Sequence, residues 1–147
     1  MLAYDPSSYP LNNNEWSFPV CEIIHILGFA LSIGTIAIVD LRLLGLGLKG
    51  KPSSQVLKET SNWTLVGLVV MLISGPLIFF SDPPMYLRNQ SFRFKIGALL
   101  IAILFNYTIH RKVAQSDTTG GLAKLVGFLS LALWTSVVAG GLFIAFV

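Results

Sequence analysis

One unbroken apolar stretch constrains this chain more than any other feature. It runs from Val20 to Leu48 and reads VCEIIHILGFALSIGTIAIVDLRLLGLGL, with no charged residue between Glu22 and Asp40 and a single histidine, His25. A helix needs about 18 or more predominantly apolar residues to cross the ~30 Å hydrocarbon core of a bilayer. The stretch therefore predicts a first membrane-spanning helix that carries His25 inside it.

The composition extends this prediction to the whole chain. Only 12% of the 147 residues are charged, and the mean hydropathy is +0.73, whereas soluble domains carry roughly 25% charged residues. Because lysines and arginines orient a membrane protein in the bilayer, the pI near 9.2 does not indicate nucleic-acid binding. The single cysteine, Cys21, excludes an intrachain disulfide, and the C-x-x-C-H sequence of covalently attached haem is absent.

Four apolar segments follow one another, and we predict spans over about 19–48, 61–80, 92–112 and 122–146. Between the first two, Pro52-Ser53-Ser54 predicts a turn and the cap of a short surface helix. Backbone polar groups have to be satisfied inside a bilayer, so the pattern predicts an all-α, four-helix transmembrane bundle. We expect residues 1–147 to form a single integral membrane domain.

The lysines and arginines predict the orientation. Seven lie in or beside the first and third loops, and three lie near the second loop. The positive-inside rule then places the seven in the cytoplasm and both termini on the outer, periplasmic side of a bacterial inner membrane. Residues 1–19 contain no Lys or Arg, and the apolar run behind them is too long for a signal-peptide h-region. We expect these residues to be retained as an arm on the membrane surface.

Small residues at four-residue spacing predict which helix faces pack together. The stripes are Gly28 with Ser32 and Ala30 with Gly34 on the first helix, Ala98, Ala102, Asn106 and His110 on the third, and Ala132, Ser136 and Gly140 on the fourth. Asn106 is expected to hydrogen-bond another helix, although a polar group inside a membrane is also a functional candidate.

His25 is the main candidate for chemistry, since no nucleophile–base set, metal-chelating cluster or phosphate loop is visible. We therefore expect no catalytic activity of the chain's own. Gly28, one turn after His25, would let a flat macrocycle such as haem b lie close to the helix, with His25 as the metal ligand. The alternative is an imidazole that donates a hydrogen bond to a neighbouring helix.

The other histidine has a different predicted depth. His110 lies roughly 27 Å into the third helix from its outer end, whereas His25 lies at most about 10 Å from the same side. Because it adjoins Arg111 and Lys112, we expect His110 to mark the cytoplasmic interface. Asp40 and Arg42 are two residues apart and share no helix face, so each is expected to pair elsewhere or, for Arg42, to reach lipid phosphates.

Arg88, Arg93 and Lys95 collect near the outer end of the third helix, at about the depth of His25. One interpretation is contact with headgroups and pairing with the acids Asp5, Glu15 and Asp82. The other is a clamp for the propionates of a haem, for which Arg and Lys are suitable charge partners.

The segment EIIHILGFALSIGTIAIVDLRLLGLGL resembles the first helix of an uncharacterised bacterial family of short four-helix membrane proteins, and GPLIFF with YLRNQSFRFKIGALL extends the resemblance to the second and third helices. More loosely, HILGFALSIG resembles the first helix of the copper-resistance D family and of the wider four-helix cytochrome b group. The second resemblance implies haem bound by a histidine at the position of His25.

Two main hypotheses for function remain open. The first is a small b-type cytochrome-like subunit that carries haem at His25 near the outer face and passes electrons to a partner. The second is a cofactor-free scaffold subunit of a larger membrane assembly, and a small transporter or channel is a weaker third. We expect a homo-oligomer or partner membrane subunits, because one chain offers a single imidazole at the depth of His25.

Overall fold

The computed structural model describes residues 4–147, and that part of the chain contains helices and turns but no β-strand. The helices are α1 (Ser17–Leu43), α2 (Ser53–Phe79), the short α3 (Pro83–Arg88), α4 (Gln90–Gln115) and α5 (Gly121–Phe143). All but α3 are long and apolar enough to cross a membrane. The prediction of an all-α protein with four spans is confirmed.

The bundle has two ends, which we name after the segments found there. The arm end holds residues 4–16, α3 and the C-terminus: Asn12 donates to the Ser81 carbonyl, and the Asn89 amide donates to the carbonyls of Ile144 and Val147. The loop end holds residues 44–52 and 116–120, where the Ser53 hydroxyl donates to the Ala114 carbonyl. Residues 1–3 of the predicted arm lie outside the described residues.

Two helix boundaries differ from the prediction for local reasons. The separate surface helix predicted before the second span is wrong, because residues 53–79 form one helix; the sequence QVLKETSN across the expected break holds no Pro or Gly. At the other boundary, α1 ends at Leu43 rather than near residue 48. Gly45 takes a φ of +75°, and the backbone N–H groups of Leu46 and Gly47 donate back to the Leu41 carbonyl.

The tightest crossing joins α1 to α2. A Cβ added to Gly67 would lie 2.5 Å from Ser32 Oγ and 2.6 Å from the Gly28 carbonyl oxygen, and one added to Gly28 would lie 2.7 Å from Val70 Cγ1. The predicted pair of Gly28 with Ser32 does face a neighbouring helix, as small residues at close crossings do. The other predicted pair, Ala30 with Gly34, is exposed.

The stripe on α4 is confirmed, since Ala98, Ala102, Asn106 and His110 are all buried. The stripe that was predicted on α5 is confirmed only in part. Gly140 packs within 3.2 Å of Lys95 on α4, measured from an added Cβ, whereas Ala132 is exposed. The buried face of α5 follows a helical period through Ser130, Trp134 and Val137 instead.

Two apolar clusters fill the bundle. The middle cluster contains Ile36, Leu68, Met71, Ala98, Leu99, Ala102, Trp134 and Val137. The loop-end cluster contains Val39, Leu43, Val56, Val113, Ala114, Ala123 and Val126. Asp40, His110 and Ser130 lie along their helices between members of the two clusters, so these polar residues occupy the boundary between them.

The start of α2 is held by a carboxylate from the other loop. Asp117 Oδ1 accepts from the Ser54 backbone N–H at 2.8 Å, and Asp117 Oδ2 accepts from the Ser54 hydroxyl at 2.9 Å. These hydrogen bonds, the backbone one first, hold the pKa of Asp117 below its usual range. The arrangement ties the two loops together at the N-terminus of α2, where a negative charge also meets the positive end of the helix dipole.

We expect Asp117→Asn to reduce the loss of folding stability that occurs as the pH falls. A lowered folded-state pKa contributes stability that is present above the unfolded-state pKa and is lost as the pH falls through the folded-state pKa. Thermal unfolding in detergent across the acid range measures the slope. A variant with the same acid dependence as the parent would contradict this role of the carboxylate.

Candidate functional site

His25 is held against α2 near the arm end of the bundle. Its ring is half-buried, and Nδ1 lies 2.8 Å from the Ser74 hydroxyl oxygen. The next residue, Gly75, also faces the imidazole, since a Cβ there would lie in van der Waals contact with it, 3.4 Å from His25 Cε1. The hydrogen bond to Ser74 therefore sets the position of the ring.

The partners of Ser74 decide which ring nitrogen carries the proton. The Ser74 hydroxyl donates its one hydrogen to the Val70 carbonyl at 2.7 Å. With its hydrogen on the Val70 carbonyl, the hydroxyl accepts from His25, and this assignment places the ring hydrogen on Nδ1 and the lone pair on Nε2. The hydrogen bond that joins the ring to Ser74 engages Nδ1 and not Nε2. A metal-ligating histidine has the same arrangement, because its other ring nitrogen donates to a fixed acceptor.

A cation lies one helical turn from His25. Phe29 shares the helix face of His25, and Lys95 Nζ lies 5.6 Å from the centre of the Phe29 ring. Lys95 is half-buried, and within the described residues no carboxylate lies within 4 Å of it. The arm half of the bundle thus combines an imidazole that has a free lone pair with an ammonium group that has no acidic partner.

The other predicted members of this site lie apart from the ring. Arg88 ends α3 and Arg93 lies in the first turn of α4, where both side chains are exposed at the arm end. Gly28 lies on the face of α1 that α2 covers, and Val70 fills the space beside it. A flat macrocycle could therefore meet His25 only from the side of the bundle and not against Gly28.

A second polar cluster lies deep in the loop half of the bundle. His110 Nε2 donates to Asp40 Oδ1 at 2.6 Å, and the Ser130 hydroxyl donates to Asp40 Oδ2 at 2.8 Å. The side chains of Asp40 and Ser130 are 0% exposed and that of His110 is 1% exposed. Three helices, α1, α4 and α5, each contribute one residue. Both carboxylate oxygens are satisfied, as a buried charge requires.

His110 does not point outward as a residue that reaches for lipid headgroups would, because its ring is buried against Asp40. A π-helical turn covers Asn106–His110 at this point of α4. Residues spaced four apart rotate gradually away from one face of an α-helix, because one turn contains fewer than four residues. The wider i→i+5 turn compensates for this rotation and keeps both Asn106 and His110 on the buried face. The predicted difference in depth holds, since Asp40 lies roughly 22 Å along α1 from His25 at 1.5 Å per residue.

Sequence reasoning missed this cluster although it contained a signal. His110 belongs to the same four-residue stripe as Ala98 and Ala102, a stripe predicted to face other helices. A histidine on a packing stripe requires a buried partner, and Asp40 is an acid inside an apolar helix. Ser130 carried no such signal, because its alignment with Asp40 depends on how α5 crosses α1.

Arg42 and Asn106, the other two polar residues predicted to be structural, have separate surroundings. The Arg42 guanidinium donates through Nε to the Lys51 carbonyl and so holds the turn after α1. Asn106 is buried at the start of the π-helical turn and lines a small cavity beside His110. Asp40 and Arg42 thus have different partners, as their spacing predicted.

The donor set fits one axial ligand of a haem and not a pair from one chain. His25 is oriented for ligation, but the second histidine is engaged by Asp40 in the other half of the bundle. Within residues 4–147, no group of three or more His, Cys, Asp or Glu side chains is placed to hold a metal ion. A second haem ligand would therefore come from another chain, come from a group other than histidine, or be absent.

Four apolar helices around buried polar groups define a multi-pass integral membrane protein of the four-helix type. Residues 18–147 match the model of a family of unknown function, DUF6644, and the chain belongs to that family. No curated protein and no solved structure matches the sequence.

Proposed function

We propose that this protein is a small electron-transfer subunit of the bacterial inner membrane, with haem b ligated by His25 near the outer face. The observation that carries the proposal is the 2.8 Å contact between His25 Nδ1 and the Ser74 hydroxyl, which orients the imidazole and leaves Nε2 outside that hydrogen bond. When bound, haem supplies a centre that accepts and gives up one electron. The chain's own residues orient the ligand and place positive charge nearby.

We further propose that two copies of the chain share one haem. A two-fold interface would bring His25 of each copy to one haem at equal depth, because such an interface places the same residues on both sides. Lys95 then serves as the interior cation for a propionate, and Arg88 and Arg93 serve as surface cations at the arm end. Each copy would contribute one axial nitrogen.

We expect His25→Ala to abolish the Soret absorbance of protein purified with haem supplied and to weaken the dimer. Ser74→Ala keeps the ligand but removes the acceptor that orients it, and loss of the hydrogen-bond partner of a metal ligand costs about 10–100-fold in metal affinity. Ser136→Ala is the matched control, because its hydroxyl bonds only within its own helix. The measurements are the absorption spectrum, a pyridine haemochrome assay and the mass of the complex.

Two outcomes would contradict the haem proposal. A protein that keeps its haem after His25→Ala has its ligand elsewhere. A folded protein that takes up no haem, under conditions that preserve haem in b-type cytochromes, is the cofactor-free scaffold subunit instead.

The orientation is tested separately. Pro52 and Asp117 lie at the loop end, and Pro84 lies in α3 at the arm end. We expect reporters fused at Pro52 and Asp117 to give cytoplasmic signal and a reporter at Pro84 to give periplasmic signal, since seven of the ten basic residues lie at or near the loop end. Reversed signals would place the termini in the cytoplasm.

A further inference from the structure

The buried pair of Asp40 and His110 has one nitrogen that the fold leaves unused. His110 Nε2 is engaged by Asp40, but His110 Nδ1 is buried without a hydrogen-bond partner among the described residues. An unpartnered buried polar atom is destabilising, so its presence in a native structure calls for an explanation. A water molecule is the simplest group that would satisfy it.

A cavity of about 20 Å³ lies beside this ring, large enough for one water molecule. Its wall contains His110 and Asn106 of α4 and the hydroxyl-bearing Ser61 and Thr64 of α2. Tyr107, also in the wall, is exposed, and Ser61 and Arg111 are half-buried, so the wall reaches the side of the bundle. The cavity lies roughly 12 Å from the start of α2, in the loop half.

We propose that Asp40 and His110 form a proton-binding site, which exchanges protons through this cavity, whose wall reaches the side of the bundle at Tyr107 and Arg111. Before the proton is bound, the Asp40 carboxylate accepts from His110 Nε2–H, and His110 Nδ1 has a free lone pair. A hydronium ion relayed into the cavity gives its proton to Nδ1: one O–H bond breaks, one N–H bond forms, and water remains. The pair changes from a net charge of −1 to zero, while Ser130 continues to donate to Asp40.

The charged and polar groups around Asp40 and His110 are compatible with reversible protonation of His110. Arg111 and Tyr107 of α4 line the cavity, and Arg42 of α1 is engaged by the Lys51 carbonyl. From α2 the cavity receives hydroxyl groups, and from α5 the pair receives the Ser130 hydroxyl. The Arg111 guanidinium opposes additional positive charge and so favours release, whereas the Asp40 carboxylate favours uptake.

Because the chain contains only two histidines, the test is direct. In His25→Ala protein with ¹⁵N-labelled imidazole, one histidine remains, and its NMR signals report Nδ1 and Nε2 separately. We expect a reversible change of the Nδ1 signal between acidic and alkaline buffer, with Nε2 remaining protonated. Asp40→Asn, which retains an oxygen acceptor but no negative charge, should reduce the change of the Nδ1 signal that is observed in the same acidic buffer.

Ser61→Leu provides the control for access, since Ser61 lines the cavity, a leucine there is larger, and the residue takes no part in the Asp40–His110 hydrogen bond. We expect it to slow proton exchange at Nδ1, whereas Ser61→Ala should not. A His110 signal that stays constant across the pH range would overturn the proposal. Equal exchange in both Ser61 variants would also contradict the route. These NMR measurements need no haem, so their outcome does not depend on the function proposed for His25.

Discussion

Replacing Asp40 with alanine is expected to lower the free energy of unfolding by several kcal/mol, because each buried donor that is left without an acceptor costs about 1–3 kcal/mol. The substitution leaves His110 Nε2–H and the Ser130 hydroxyl without their acceptor, at the boundary between two apolar clusters. Neither donor can reach bulk water, because both side chains are at most 1% exposed. Reversible unfolding in mixed detergent micelles measures the loss.

The chain supplies a matched comparison for this effect. Lys51 and Glu59 form the other ion pair among the described residues, with Nζ 2.8 Å from Oε2, but both side chains are about half exposed. Surface pairs contribute little, so Glu59→Ala should leave the stability almost unchanged. A double-mutant cycle of Asp40→Ala and His110→Ala should show strong coupling, since the two side chains share one hydrogen bond. An Asp40→Ala loss no larger than that of Glu59→Ala would contradict the importance of the buried pair.

The second large effect is expected at the crossing of α1 and α2. Even Gly67→Ala places a methyl group 2.6 Å from the Gly28 carbonyl oxygen and 2.7 Å from the Ser32 backbone nitrogen. Backbone atoms cannot rotate away as a side chain can, so the two helices have to separate. We expect a loss of about 1–3 kcal/mol for alanine, and loss of folded protein for leucine.

Gly97 is the control for this experiment. It lies in the interior of α4, and nothing lies within 4 Å of a Cβ added there. Gly97→Ala should therefore be neutral or slightly stabilising, since alanine is the better helix former. If Gly67→Ala and Gly97→Ala unfold alike, the helices do not approach as closely as the structure describes.

Both of these effects depend on contacts between residues that are distant in the sequence. Asp40 and Ser130 are 90 residues apart, and Ser32 lies 35 residues before Gly67. The apolar pattern predicted that Gly28 and Ser32 pack against another helix, because small residues allow close approach in a membrane. It did not identify Gly67 as the partner, since a crossing point depends on the positions and tilts of two helices.

His25 shows, at a single residue, the same difference between what the sequence predicts and what only the structure reveals. Its place in the first span follows from the length of the apolar run alone. The assignment of its protons depends on Ser74, whose hydroxyl is already committed to the Val70 carbonyl. No spacing within one helix reveals that hydrogen bond, because it joins two helices.

The sequence by itself determined the four spans and the all-α class, because a bilayer admits a long apolar segment essentially only as a helix that satisfies its own backbone. Only the tertiary structure decided that His110 faces Asp40, that Ser130 completes the cluster, and that a π-helical turn keeps Asn106 and His110 buried. The physical reason is that lipid and protein interiors are equally apolar. Hydropathy therefore determines which residues enter the membrane, whereas close packing and hydrogen bonding between helices determine which of them meet.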